Sequence, residues 1–229
     1  MTTAPTQSEP TCDGRGLKDD DLRGLYARSH GVVAFLDESY WLPAQARGDG
    51  HYFVAAVIVS RDVVIELREG LLDIADSDRW HTHEEAQTSD GEQRILNMTS
   101  FTADRCVTVV TFQAHVGNDD LNGEKARAAC LQAMMQCLVE DHLHSNGLVV
   151  YDRRRDQGQQ DADVRLFKRF RRDGIMPRSV ITYPGRQGQE PLLWAADAVA
   201  WAARRLVMLD EKTYTQPLAA RNAIELYRA

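Results

Sequence analysis

GVVAFLDES (31–39) runs from a glycine through five apolar residues into two acids and a serine. A continuous apolar run of β-branched and aromatic residues, bounded by polar ends, predicts a strand buried on both faces. The Pro- and Gly-containing stretch WLPAQARGDG (41–50) then makes a loop. It leads to HYFVAAVIVS (51–60), a second strand expected to form a hairpin with the first.

Outward from that pair, residues 62–75 carry Val63, Leu67 and Leu71 at helical spacing, and a further helix is expected around 93–101. CVTVVTFQAHV (106–116) gives a third strand. The longest helix is expected over 124–144, its inward stripe made by Cys130, Met134 and Leu138, with Met135 and His142 as possible additions. LVVYD (148–152) and SVITYP (179–184) give strands four and five, separated by a helix over 161–173. A final helix begins near Pro191 and runs through LLWAADAVAWAARRLVML. The expected fold is therefore α/β, with a mixed five-stranded sheet flanked by helices. Residues 1–28 are polar and read as a disordered or loosely attached arm, and 29–229 as one domain.

The chain has 229 residues, 27 basic against 34 acidic, for a net charge of −7. That balance argues against a generic polyanion binder but leaves room for a local basic face. No apolar run approaches the length of a membrane helix, and the first residues lack the features of a secretory signal. Four widely spaced cysteines without a CxxC pair read as reduced, so a cytoplasmic location is expected.

Three carboxylates stand in apolar surroundings. Asp37 ends VVAFL, Asp152 ends LVVY, and Asp197 lies inside LLWAADAVAWAA. Burying an ionised carboxylate is costly unless it is paired or bound to a metal. Taken singly, Asp37 and Asp152 suit turn starts, and Asp197 suits an ion pair with Arg204 or Arg205. Taken together, they suit Mg²⁺ or Mn²⁺, which prefer oxygen ligands drawn from several elements. In WHTHEE (80–85), Glu84 is the candidate fourth ligand, with Glu85 beside it, and His83 is a candidate to assist protonation. His81 and His83 have HxH spacing that suggests zinc only weakly, because no third ligand stands at a suitable distance. His142 and His144 at a helix end read as solvated residues.

These motifs resemble the ribonuclease-H-like family known as domain of unknown function 3800. FLDES (35–39), YFVAAVIV (52–59), WHTHEE (80–85), VVYDRR (149–154) and AADAVAWAARR (195–205) stand in that family's order over roughly residues 30–209. Two positions depart from its pattern: Tyr40 replaces a common Gly after Asp-Glu-Ser, and Trp194 replaces a common Gln. The resemblance implies three antiparallel strands with two more added through helices. It also implies that Asp37, Asp152 and Asp197, with Glu84, meet at one end of the sheet to hold metals for nucleic-acid hydrolysis. The alternative is a non-catalytic module of the same fold, a scaffold or nucleic-acid binder in a defence or mobile-element system.

Nucleic acid has a candidate surface. Residues 153–186 carry ten Arg or Lys against four Asp, a net of +6 in a chain whose total is −7. Arg153, Arg154 and Arg155 directly follow Asp152. Arg165, Lys168, Arg169 and Arg172 share one helix face, which also suits a plain solvated stripe. Trp41, Trp80 and Tyr40 are candidate stacking residues, and each equally suits packing at the core or rim.

Overall fold

The computed structural model describes residues 16–43, 50–106, 108–143 and 146–229, so Cys12 and His144 lie outside the described residues. Strands β1 (Val32–Trp41), β2 (Gly50–Ser60) and β3 (Thr108–Val116) form an antiparallel meander. Strand β4 (Leu148–Asp152) joins β1 in parallel, and β5 (Ile181–Gly185) joins β4 in parallel. Three antiparallel strands extended by two parallel ones is the sheet that the ribonuclease-H-like resemblance implies. A sixth strand, β6 (Ile224–Arg228), corrects the expected count of five. It pairs in parallel with β3 and completes the order β5-β4-β1-β2-β3-β6. Its sequence, IELYR, is largely exposed and carries no buried run by which to recognise it.

Side-chain alternation on β1 splits the core into two layers. Val33 and Phe35 face one cluster, and Ala34 and Leu36 face the other. The first layer holds α1 (Asp20–Arg28), α2 (Val64–Ala75), α3 (Thr82–Glu85), α4 (Ser89–Arg105), α7 (Leu192–Leu209) and α8 (Gln216–Ala220). The second holds α5 (Glu124–Cys137) and α6 (Gln157–Arg172). Helix α7 is buried all round from Leu192 to Ala203, because its many alanines let it lie close against β1 and β2.

The long helix is shorter than expected. Regular α-helix ends at Cys137, and Leu138–His142 form a wider π turn, closed where Leu143 N–H donates to the Leu138 carbonyl. The helix expected around 93–101 starts earlier, at Ser89, where the Thr88 side chain caps it by accepting from Gly91 N–H.

The described part of the N-terminal arm is anchored, contrary to the expectation of a loose segment. Leu17, Leu22 and Tyr26 are buried in the first layer, and Asp19 caps α1. Tyr26 donates its hydroxyl to Glu190, and the same carboxylate forms a buried ion pair with Arg68 of α2 at 2.9 Å. Glu190 also accepts from Leu192 N–H at the start of α7. One fully buried acid thus ties α1, α2 and α7 together.

Candidate active site

Alternation places Asp37 on the α7 side of the sheet and Glu38 on the other. The parallel register pairs Leu36 with Tyr151, so Asp37 and Asp152 occupy the next positions on adjacent strands. Val150 lies in the first core layer, so Asp152, two residues on, shares that face with Asp37. Asp197 reaches the same region from α7.

The electrostatics report that convergence. Burial raises the Asp37 carboxyl well above its ordinary range, and repulsion from Asp152 and then Asp197 raises it further. Burial likewise lifts Asp152 to about 7, aided by Glu38 and Asp197. Carboxylates held close in low dielectric disfavour one another's charge unless a cation lies among them.

Each acid on β1 and α7 has protein partners. Asp37 accepts from its neighbour Glu38 N–H at 2.6 Å and from Gln187 Nε2 at 2.7 Å. Gln187 sits in the turn between β5 and α7, and its carbonyl accepts from the Trp194 indole at 2.9 Å. Trp194 therefore holds the loop that supplies Gln187 to Asp37.

Asp197 accepts from both the Thr82 N–H and the Thr82 hydroxyl, each at 2.9 Å. That hydroxyl in turn accepts from the Trp80 indole at 2.9 Å, which docks the 80–82 segment against α7. Neither arginine suggested as a partner pairs with Asp197: Arg204 Nε donates to Ser39, and Arg205 pairs with Glu211.

The histidine facing the carboxylates is His81. Its Nδ1 lies 3.7 Å from Asp197, an electrostatic contact beyond hydrogen-bond length. Asp197 raises the imidazole above its ordinary value, against the opposing effect of burial; Glu84 adds to the rise and Arg155 opposes it. His83 is exposed at the surface of the short helix α3. Glu84 is also exposed and acts on His81 from a distance, whereas Glu85 is bound by Arg94.

The basic segment divides. Arg154 makes a two-pronged pair with Glu124, and Arg153 donates to Gln160. Arg155 is exposed and close enough to act on His81. Lys168, Arg169 and Arg172 are exposed on α6, in the layer opposite the carboxylates, and Arg172 pairs with Asp173. Of the aromatic candidates, Trp80 is buried, and Tyr40 stacks on Tyr52 with ring centroids 5.3 Å apart.

As a donor set, Asp37, Asp152 and Asp197 fit a hard divalent cation. All their ligand atoms are oxygens, and the upward shifts of Asp37 and Asp152 are those of buried acids lacking a counter-charge. As they stand, no three His, Cys, Asp or Glu among the described residues are placed to hold an ion. Gln187 and Thr82 occupy oxygens of Asp37 and Asp197. The weak zinc suggestion at His81 and His83 gains no third ligand there.

No family model matches the chain, and no curated protein matches it. Solved structures do. The chain is similar to Bst-RNase HIII in complex with Mn²⁺, at 16% identity over 82% of this chain and 55% of that one, with a TM-score of 0.48. A single-residue mutant of Bst-RNase HIII gives the same figures. Ribonuclease H2 from Pyrococcus horikoshii OT3 aligns at 15% identity over 79% of this chain and 75% of that one, with a TM-score of 0.43. The chain spans about half the length of the Bst-RNase HIII chains. The ribonuclease-H-like architecture rests on the strand order described above, and the family-level resemblance rests on the quoted motifs. No helix among the described residues is long and apolar enough to cross a membrane.

Proposed function

We propose that this chain is a divalent-metal-dependent nuclease or related phosphoryl-transfer enzyme acting on nucleic acid. The observation that carries this reading is the convergence of Asp37, Asp152 and Asp197 on the α7 side of the sheet, where Asp152 and Asp197 raise the Asp37 carboxyl and Asp197 raises that of Asp152. Two buried acids and a half-buried one, with no arginine or lysine paired to them among the described residues, are expensive to keep unless a cation completes them.

In this reading Asp37, Asp152 and Asp197 hold Mg²⁺ or Mn²⁺, with Glu84 at the margin. The bound ions would activate a water and stabilise the leaving oxygen of a phosphodiester. Asp152, whose carboxyl burial lifts to about 7, would give up its proton to serve as a ligand. Gln187 and Thr82 orient Asp37 and Asp197 through the oxygens they already engage. His81 takes the proton-donating role considered for His83, because it faces the carboxylates and Asp197 favours its charged form. Arg155 lies close enough to meet a substrate phosphate, ahead of Arg153 and Arg154, whose side chains have protein partners.

The test is Mn²⁺- and Mg²⁺-dependent cleavage of single- and double-stranded DNA and RNA. Asp37→Asn and Asp197→Asn should each cost about 100-fold or more, as removal of a preorganised electrostatic group does. Cleavage unchanged in both variants would overturn the reading.

The hydrogen bonds that Thr82 and Gln187 already make to the acids favour a second reading, a non-catalytic module whose carboxylates are structural. Calorimetric titration separates the two. Heat from millimolar Mn²⁺ that Asp37→Asn abolishes supports the enzyme, and a silent titration supports the module.

A further inference from the structure

Asp37, Ser39 and Trp41 alternate onto one face of β1, and α7 packs across that strand. On α7, Arg204 stands seven residues beyond Asp197. Seven residues are two turns, so the two side chains share a stripe about 10 Å apart along the axis. The approach of Asp197 to Asp37 therefore continues into a contact between the same two elements. There Arg204 Nε donates to Ser39 Oγ at 2.8 Å, and the guanidinium lies 5.6 Å from the Trp41 ring centroid.

Among the described residues Arg204 lacks a counter-charge. No carboxylate pairs with it among the described residues, and its Nη1 and Nη2 have no protein acceptor there. Its neighbour Arg205 instead meets Glu211 and lies over Trp201. Burial, and then repulsion from Arg205, pull the Arg204 guanidinium below its ordinary value, the sense expected of a partly desolvated cation without an anion. A guanidinium fixed by a hydroxyl and an aromatic face, with its two terminal nitrogens unspent, is preorganised for a two-pronged bond to a phosphate.

We propose that Arg204, Ser39 and Trp41 form a phosphate-binding subsite for the nucleic-acid strand, one step along α7 from the carboxylates. Arg204 grips a backbone phosphate near the scissile one, Ser39 fixes the guanidinium, and Trp41 offers its ring to a base. The ligand's identity rests on the nuclease reading. The subsite itself is tested apart from cleavage.

Fluorescein-labelled single-stranded DNA and RNA oligonucleotides are titrated with the full chain in EDTA, so that metal and turnover play no part, and anisotropy is followed over a salt series. Arg204→Met should weaken binding about tenfold, the worth of one charge-assisted contact. The slope of log affinity against log salt should become shallower by about 0.7, one phosphate contact on a single strand. Arg204→Lys should keep the slope while losing part of the affinity, because it retains the charge without the fork. Ser39→Ala should lose about twofold, the low end for one hydrogen bond, with the slope unchanged. Unchanged affinity and slope in Arg204→Met at an unchanged melting temperature would overturn the subsite. If that variant melts early, a shallower slope in Arg204→Lys overturns it. An absence of Mn²⁺-dependent cleavage would defeat the nuclease reading and leave these binding outcomes intact.

Discussion

Replacing Asp152 by Asn should stabilise the metal-free protein increasingly as pH rises from about 4 to about 8. The Asp152 carboxyl rises from the ordinary 3.8 to about 7, chiefly through burial and then through Glu38 and Asp197. About three units at about 1.36 kcal/mol each give a ceiling of about 4 kcal/mol for carrying the ionised form. Because the repulsion is shared among interacting acids, the gain on removing one is about 2–4 kcal/mol. The sign follows from proton counting. Between the unfolded value and the folded one, the native state holds more protons than the unfolded chain, so stability falls as pH rises through that window. The cost is absent below about pH 4 and fully present by about pH 8.

Urea denaturation of wild type and Asp152→Asn at both pH values, in EDTA, measures the difference. The variant should gain about 2–4 kcal/mol at pH 8, roughly 4–16 °C in Tm for a chain of this size, and nothing at pH 4. Equal effects at the two pH values, or destabilisation at pH 8, would refute the argument that an ionised acid is confined there at a cost. Saturating Mn²⁺ should reverse the order at pH 8, stabilising wild type above the variant.

Apparent Mn²⁺ affinity, by calorimetry in buffers of differing ionisation heat, should rise with pH up to about 7 and release protons on binding, as Asp152 must deprotonate. Glu190→Gln removes a carboxylate that pairs with the fully buried Arg68 and should cost about 3–5 kcal/mol in urea unfolding, also loosening α1, whose Tyr26 bonds to the same acid. Thr82→Val removes two hydroxyl bonds, to Asp197 and from Trp80, and should cost about 1–3 kcal/mol with a change in tryptophan emission. At Gly91 an added Cβ would collide with the Glu85 carbonyl, so Gly91→Ala should force α3 from α4 and lower Tm measurably by differential scanning calorimetry.

The continuous apolar runs in GVVAFLDES and HYFVAAVIVS determined a hairpin buried on both faces, because strand geometry sends successive side chains to opposite faces and every one of them here needs cover. The same rule set Asp37 toward one layer and Glu38 toward the other, where Glu38 meets Arg127. Acids in apolar runs marked Asp37, Asp152 and Asp197, because the cost of burying charge is local and readable without coordinates.

Partnerships made across long separations were not readable. Gln187 and Thr82 are ordinary loop residues in sequence, and only folding carries them 150 and 115 positions to Asp37 and Asp197. HxH spacing marked His81 and His83 equally, and the docking of Trp80 and Thr82 against α7 decided that His81 faces the acids. Charge counting found the basic segment, but which cations remain unspent depended on distant acids such as Glu124. The sixth strand and the anchored α1 escaped for the same reason. Their stability comes from surfaces that other elements supply, β3 for one and Glu190 with Arg68 for the other, and a local pattern carries no record of them.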